Sequence, residues 1–437
     1  MDGGGDAPAG PFEGPEKLLE IWFAPSPTDV PDASASTDGR SGLRKVPRSV
    51  WADMLDIVKC KILSVVEGTE MDAYLLSESS LFVSPHKLIL KTCGTTLNLL
   101  GLPRILEIAR DHASLPSVYR CFYSRKAFMF PERQHGPHRD WRAEVEYLDS
   151  IFASGAAYTI GKVNGDHWLL YITSPGEDAS HNGSTRASTP VSPDPLTAVP
   201  DDEPPQASGS EPTPAEEPRQ DYTIEILMTQ LSPAACAPFM SDPSSSSADA
   251  AEEDPSARAH ALSARLGISE LFPPRATTLD AYAFSPCGYS CNALLKHDAG
   301  EGYHTIHVTP EQGWSYASFE CNVPLPARAP TAPDAEEGGA ARTPDLKTLI
   351  RRMVRIFQPG RLTLTLFISS EDNDAAEEEA GESTVEAAQR AFKAALTRRC
   401  GVGTAEDGFG GVYRRTDKIN YELGGYDLAF ATFELRS

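Results

Sequence analysis

The chain has 437 residues, 36 of them proline, with an apolar share of 40% and a formal net charge of −23. That length can bury one large core or two or three ordinary ones, while the proline count and lean apolar share point to folded protein interrupted by disordered insertions. So acidic a chain does not suit nucleic acid or an anionic membrane surface as a partner.

The charge is not spread evenly. Residues 174–220 carry −7, 241–254 carry −5, 334–337 carry −3 and 371–382 carry −7. Outside these low-complexity stretches the chain is almost neutral, so the net charge says little about a substrate. We read disordered acidic insertions at about 174–220, 241–260, 325–343 and 371–383, as loops of one domain spanning 1–437. The N-terminal MDGGGDAPAG has neither the basic nor the apolar region of a secretory signal, and no apolar run reaches bilayer length. Eight scattered cysteines indicate reduced thiols, and the location expected is the cytoplasm.

In chain order, strand patterns cover KLLEIWF (17–23), KILSVV (61–66), AYLLS (73–77), SLFVS (80–84) and KLILKTC (87–93), with a helix at Arg48–Val58. Helices at Thr96–Arg110 and Arg139–Phe152 follow. AAYTIGKV and HWLLYIT then flank Asn164-Gly165 as a hairpin. Strands at 222–228, 303–310, 315–323, 361–369 and 426–435 alternate with helices at Asp345–Phe357, stopped by Pro359-Gly360, and Val385–Arg399. Antiparallel strands with a few helices make an α+β protein with helices packed on sheet faces.

LLSESSLFV (75–83) sets an acid and two hydroxyls inside a buried strand pattern, without the Gly, Asn, Asp or Pro of an ordinary turn. Taken alone, Ser79 is a structural serine, Cys93 an inert buried thiol, His307 a core histidine, and Phe12 and Phe284 core aromatics. No metal is expected. Cys287 and Cys291 lack a second ligand pair, and His304 and His307 fall on opposite strand faces. His135 and His138, in HGPH, read as solvent loop residues. On KLLEIWF, Glu20 shares a face with Leu18 and Trp22; on DYTIEILM, Asp221, Thr223 and Glu225 alternate onto one face. Acids facing a sheet interior are costly unless a cation pairs with them.

FEGPEKLLEIWF, YLLSESSLFVS, LILKTCGTT, FYSRKAF, DYTIEILM, FSPCGYS and TIHVTPE, in this order, closely resemble the eukaryotic S-adenosylmethionine decarboxylase family. The resemblance covers essentially all the chain outside the acidic insertions. It implies a four-layer αββα sandwich with two antiparallel β-sheets inside and helices on the outer faces. It also implies that the chain cuts itself between Glu78 and Ser79 into a small β chain (1–78) and a large α chain (79–437). These stay together as a heterodimer, and family members pair through sheet edges into an (αβ)2 dimer.

By the same resemblance, Ser79 attacks the preceding carbonyl to form an ester, His307 is the base for its elimination, and Ser290 assists at the oxyanion stage. Ser79 becomes a covalent pyruvoyl group (pyruvate) that forms a Schiff base with S-adenosylmethionine, and Cys93 is the proton donor after CO2 departs. Phe12 and Phe284 sandwich the adenine, Glu311 binds the ribose, and Glu13 and Glu78 complete the pocket. Glu20, Asp221, Thr223, Glu225 and Glu320 match the residues that hold putrescine as activator, supported by Glu16, Lys91, Phe122, Arg125, Phe367 and Tyr426. The product would feed spermidine and spermine synthesis. Two competing readings remain: a serine hydrolase using Ser79 and His307 on an intact chain, and an inactive paralogue that activates a partner. The second should have lost the processing serine or its helpers, which this chain keeps.

Overall fold

The computed structural model describes residues 11–35, 40–174, 221–241, 254–297, 299–326, 343–397 and 411–436. The insertions expected at 174–220 and 325–343 lie outside the described residues except at their ends.

Sixteen strands form two eight-stranded antiparallel sheets. The first contains β1 (Lys17–Trp22), β2 (Ile62–Glu67), β3 (Asp72–Leu76), β4 (Ser79–Val83), β5 (Lys87–Thr92), β6 (Arg120–Lys126), β7 (Gly155–Gly161) and β8 (His167–Thr173). The second contains β9 (Tyr222–Leu231), β10 (Thr277–Ala283), β11 (Tyr289–His297), β12 (Gly300–Thr309), β13 (Tyr316–Cys321), β14 (Pro359–Ser369), β15 (Tyr413–Leu423) and β16 (Tyr426–Leu435). Their orders, β2-β3-β4-β5-β1-β6-β8-β7 and β10-β11-β12-β13-β9-β14-β16-β15, are one topology used twice. No tandem repeat is legible in the sequence, yet the central strands β1 and β9 both carry a glutamate, Glu20 and Glu225, before an isoleucine.

Strand alternation divides the side chains among three apolar layers. Leu19, Ile21, Leu88 and Leu90 leave one sheet outward to meet Trp51 of α1 (Arg48–Ile57) and Ile105 of α2 (Leu102–Ala113). The helix α3 (Trp141–Asp149) closes the same face with Leu148. On the far side, Ile224, Ile226 and Met228 face α4 (Pro233–Cys236), α5 (Pro255–Leu266), α6 (Leu346–Phe357) and α8 (Thr384–Leu396). Leu346, Leu349, Ile350, Met353, Val354 and Phe357 make the apolar stripe of α6. Between the sheets lie Phe82 stacked on Tyr303, and Trp168 with Leu227 and Phe430. The layers run helices, sheet, sheet, helices.

The structure departs from the sequence reading in several places. The acidic stretch 371–383 is not a loop: α7 (Ser370–Ala380) occupies most of it. Ser369 caps that helix by accepting from the Asp372 amide, and Asp372 in turn accepts from the Asp221 amide at 3.0 Å. Helix α5 begins at Pro255, inside the expected 241–260 insertion, with Asp254 as its cap. Residues 98–101 form a 3-10 turn and α2 starts only at Leu102, because Pro103 has no N–H and fits only a first helical turn. Strands β6, β10, β11 and β15 were not anticipated.

Candidate active site

Ser77 and Glu78 form the whole turn between β3 and β4, since Leu76 pairs with Ser79. A two-residue hairpin turn needs positive φ, normally supplied by glycine. Here the strain moves onto Ser79, at φ 132°, a conformation that costs a non-glycine residue about 1–3 kcal/mol. The Ser79 side chain is buried and its hydroxyl has no well-formed hydrogen bond among the described residues. The Glu78 carbonyl oxygen is held by the Cys93 N–H at 3.1 Å and approached by the Cys93 thiol at 3.5 Å. The peptide link at this corner thus combines a strained residue, a buried hydroxyl beside the Cys93 thiol and a carbonyl already polarised by a donor.

Cys93 ends β5 and turns into Gly94, whose positive φ of 63° lets the backbone pass beneath Phe12 and Glu78. A Cβ on Gly94 would sit 3.1 Å from Glu78 Oε2 and 3.2 Å from the Phe12 ring. Burial, then the neighbouring Glu78 charge, drives the Cys93 thiol well above its ordinary pKa. Burial also pushes Glu78 up to about 7. Glu311 accepts from the Phe12 amide at 3.3 Å and the Trp314 indole at 3.2 Å, so it joins the N-terminal segment to the loop after β12. Phe284 is half-buried with its ring 4.9 Å from Tyr282, and its carbonyl is held by Arg258.

Across the sheet interface, β11 and β12 present Ser290 and His307, cross-strand partners joined at 2.8 Å between Oγ and Nδ1. His307 Nε2 reaches Thr305 at 2.9 Å and Ser80 at 3.1 Å. No hydrogen bond joins His307 to Ser79 among the described residues, so the Ser–His pair of a hydrolase is not assembled. Burial, then the Lys91 charge, lowers His307 to about 3 and keeps it neutral. His304 points the other way and stacks between Phe272 and Phe319.

A second polar cluster lies between the sheets around a cavity of about 40 Å³, lined by Glu20, Phe122, Thr223, Glu225, Glu320 and Phe367 among others. Lys91, fully buried, binds Glu320 at 2.7 Å and lies 3.9 Å from Glu225. Tyr303 donates to Glu320 at 2.6 Å and Thr365 to Glu225 at 3.2 Å. Glu16 takes the hydroxyl protons of Tyr316 (2.6 Å) and Ser318. Tyr426 donates to Asp221, stacks on Phe367 at 4.5 Å, and meets the edge of Phe122 at 5.2 Å. Glu20 accepts from the Trp22 indole at 2.7 Å and faces Lys87 at 3.5 Å. Burial raises Glu225 to about 8 and also raises Glu20, so this cluster holds protons for want of cations.

The family model described as Adenosylmethionine decarboxylase matches residues 9–434. The chain belongs to that family. The S-adenosylmethionine decarboxylase proenzyme of Xenopus laevis is 37% identical over 358 residues, 82% of this chain and 83% of that one. The proenzyme of Saccharomyces cerevisiae is 34% identical over 382 residues, 83% of each. The crystal structure of the Trypanosoma brucei AdoMetDC-delta26 monomer aligns over 82% of this chain and 99% of that one, with 18% identity and a TM-score of 0.46.

Arg125 stands elsewhere than the resemblance to the decarboxylase family led us to expect, Glu13 stays at the pocket with its carboxylate occupied, and His138 departs from the reading of HGPH as a solvent loop. Arg125 does not turn its charge to the cavity. It projects from the opposite face of β6, pairs with Glu144 at 2.8 Å and lies over Phe128. The Glu13 carboxylate is occupied by the Met129 and Phe130 amides at 2.8 and 2.7 Å, which leaves it shaping the pocket wall. His138 is not a solvent residue. It is fully buried, bonded to Glu144 at 2.8 Å, and accepts from the Leu99 amide at 3.3 Å. The sequence reading also missed Lys17, Lys87, Thr365 and Arg120, whose guanidinium lies 4.6 Å over the Tyr426 ring. Lys17 is fully buried, donates to the Gly94 carbonyl at 3.0 Å, and is lowered to about 8 by burial. Its signal was available: on β1 it lies on the same face as Leu19 and Ile21, where a lysine needs a partner.

Proposed function

We propose that this chain is a self-processing, pyruvoyl-dependent decarboxylase of S-adenosylmethionine. Its product would be S-adenosyl 3-(methylthio)propylamine, used in spermidine and spermine synthesis, with putrescine as activator. The observation that carries this reading is the Glu78–Ser79 corner: positive φ, a buried hydroxyl and a carbonyl gripped by the Cys93 N–H in one peptide.

Ser79 Oγ adds to the Glu78 carbonyl carbon, the C–N bond breaks, and the hydroxyl proton passes to the departing nitrogen, giving an ester. The Cys93 N–H steadies the oxyanion of that step. Neutral His307, with a lone pair to offer, takes the Ser79 α-proton. The electron pair forms Cα=Cβ, and Glu78 leaves as a carboxylate and chain end. Water then replaces the enamine nitrogen, released as ammonia, and leaves a pyruvoyl group.

That group supplies a ketone electron sink for loss of CO2. The surrounding residues fit it: the buried Cys93 thiol retains its proton at neutral pH because its pKa is raised, and so has one to give to a carbanion. Phe12, Glu311 and Phe284 would hold the adenosine. Putrescine, a dication, would neutralise the surplus acids between the sheets.

Intact-mass analysis of the purified chain tests the reading. Two fragments are expected, meeting between residues 78 and 79, with no free amine on the larger. Ser79→Ala should give one uncut chain that releases no CO2. Full activity from an unbroken chain would refute the reading.

A further inference from the structure

The hydrogens around His307 can be assigned one at a time, starting from a side chain the resemblance did not name. Asn292 of β11 is buried and spans the sheet interface. Its Nδ2 donates to the Tyr74 carbonyl on β3 at 3.1 Å. That contact fixes the amide orientation, since the flipped form would set two carbonyl oxygens against each other. Asn292 Oδ1 therefore faces Ser80 Oγ at 2.6 Å and Thr305 Oγ1 at 3.1 Å as an acceptor only.

A 2.6 Å separation of two oxygens needs a hydrogen between them, and only Ser80 has one to give. The Thr305 hydroxyl lies 2.9 Å from Nε2, 3.0 Å from the Cys291 carbonyl and 3.1 Å from Asn292 Oδ1; the two oxygens can only accept, and giving its hydrogen to one of them leaves the Thr305 oxygen free to accept from Nε2 as well. His307 Nε2 then faces two hydroxyl oxygens whose hydrogens point away. Lone pairs would oppose one another on that side unless Nε2 carries the ring proton. Nδ1 is left bare and accepts from Ser290 at 2.8 Å.

We propose that Asn292 is a positioning residue for self-processing: by consuming the Ser80 hydroxyl proton it fixes His307 as the Nε2–H tautomer and leaves Nδ1 as the basic nitrogen. This rests on the processing reading above. Without Asn292, the Ser80 hydrogen would turn to Nε2, the ring proton would move to Nδ1, and the lone pair would point away from Ser290. The nitrogen beside Ser290 would then carry a proton and could not serve as the base, and the ester formed before that step would accumulate.

Two measurements decide it. In full-length Ser79→Ala protein labelled with [15N]histidine, long-range 1H–15N correlation should show His307 protonated on Nε2, and Asn292→Ala added to that chain should move the proton to Nδ1. In chains with Ser79 intact, Asn292→Ala should slow completion of processing by roughly tenfold or more and build up an ester that hydroxylamine cleaves. The double variant Asn292→Ala/Ser80→Ala removes the misdirected hydrogen and should process several-fold faster than Asn292→Ala alone, a recovery that lost packing does not give. Protonation at Nδ1 in the Ser79→Ala chain, or normal processing by Asn292→Ala, overturns the proposal. If the unaltered chain never cuts itself, the functional reading fails instead, and the NMR result still decides the tautomer.

Discussion

The two polar places between the sheets solve the problem of burial in opposite ways. Around His307 the groups are neutral: hydroxyls, an amide and the imidazole itself, which burial keeps unprotonated. Around Glu320 they are ionisable, with the carboxyls of Glu16, Glu20, Asp221 and Glu225 gathered near one fully buried ammonium, Lys91. That neutral set can be completed from within, since the Ser80, Ser290 and Thr305 hydroxyls each have an acceptor at hand. The charged cavity cannot, because its acids outnumber its bases, and Glu225 keeps a proton until a cation arrives. On the proposed reading, the difference would let processing be intrinsic to the chain while activation needs a molecule from outside. The two places also touch. Ser80 lies opposite Lys91, and Thr305 opposite Glu320, so charge added in the cavity is felt one strand away at His307.

Four experiments break or sharpen that contrast. Cys93→Ala keeps the backbone N–H that grips Glu78, so cutting at 78/79 should persist on a gel while CO2 release falls roughly 10²–10⁴-fold. Parallel loss of both would show that the sulfur, not the amide, serves the corner. Lys91→Met leaves Glu320 buried without its cation and should cost about 3–5 kcal/mol in denaturant unfolding, partly recovered by adding Glu320→Gln.

The third experiment is a titration. Glu225 has a folded pKa of about 8, above its ordinary value, so it releases a proton when a dication binds. Putrescine should therefore bind more weakly as pH falls below 8, by up to about tenfold per pH unit, in the midpoint of stimulation. A flat midpoint from pH 6.5 to 8.5 removes Glu225 from that role. By the same sign, Glu225 costs the fold stability as pH rises from its unfolded value toward 8, because the unfolded chain ionises first. Last, Asp372→Ala releases the Asp221 amide and should shift the midpoint only a few-fold, with about 1 kcal/mol lost because that amide and the Ser369 hydroxyl lose their carboxylate acceptor.

Legibility followed the apolar pattern. Strands such as KLLEIW and YTIEILM were readable because one face is apolar and the other mixed. YRRTDKINYEL, an edge strand open to solvent over most of its length, gave no such signal. α7 was unreadable for a related reason: Asn373 is its only buried residue, and its place is fixed by the Ser369 cap and the contact of Asp372 with Asp221. A candidate catalytic set could be named from motif order alone, but its hydrogen bonds could not. Asn292 sits in β11, which no periodicity revealed, and its partners come from residues 74, 80 and 305 on three other strands. The direction of Arg125 was a face assignment, and one position along β6 separates the cavity from the helices.

Strand order makes the corner at Glu78–Ser79 a peculiar place to divide a polymer. β2 and β3 lie at one margin of their sheet, but β1 is wedged between β5 and β6, so the first 78 residues are threaded through the rest in two separate lanes. Opening that bond would not loosen the body, since the ladder on each flank still ties the pieces together. It would change what happens after denaturation: two strangers would have to meet again before either lane could close, and recovery would slow as the solution is diluted.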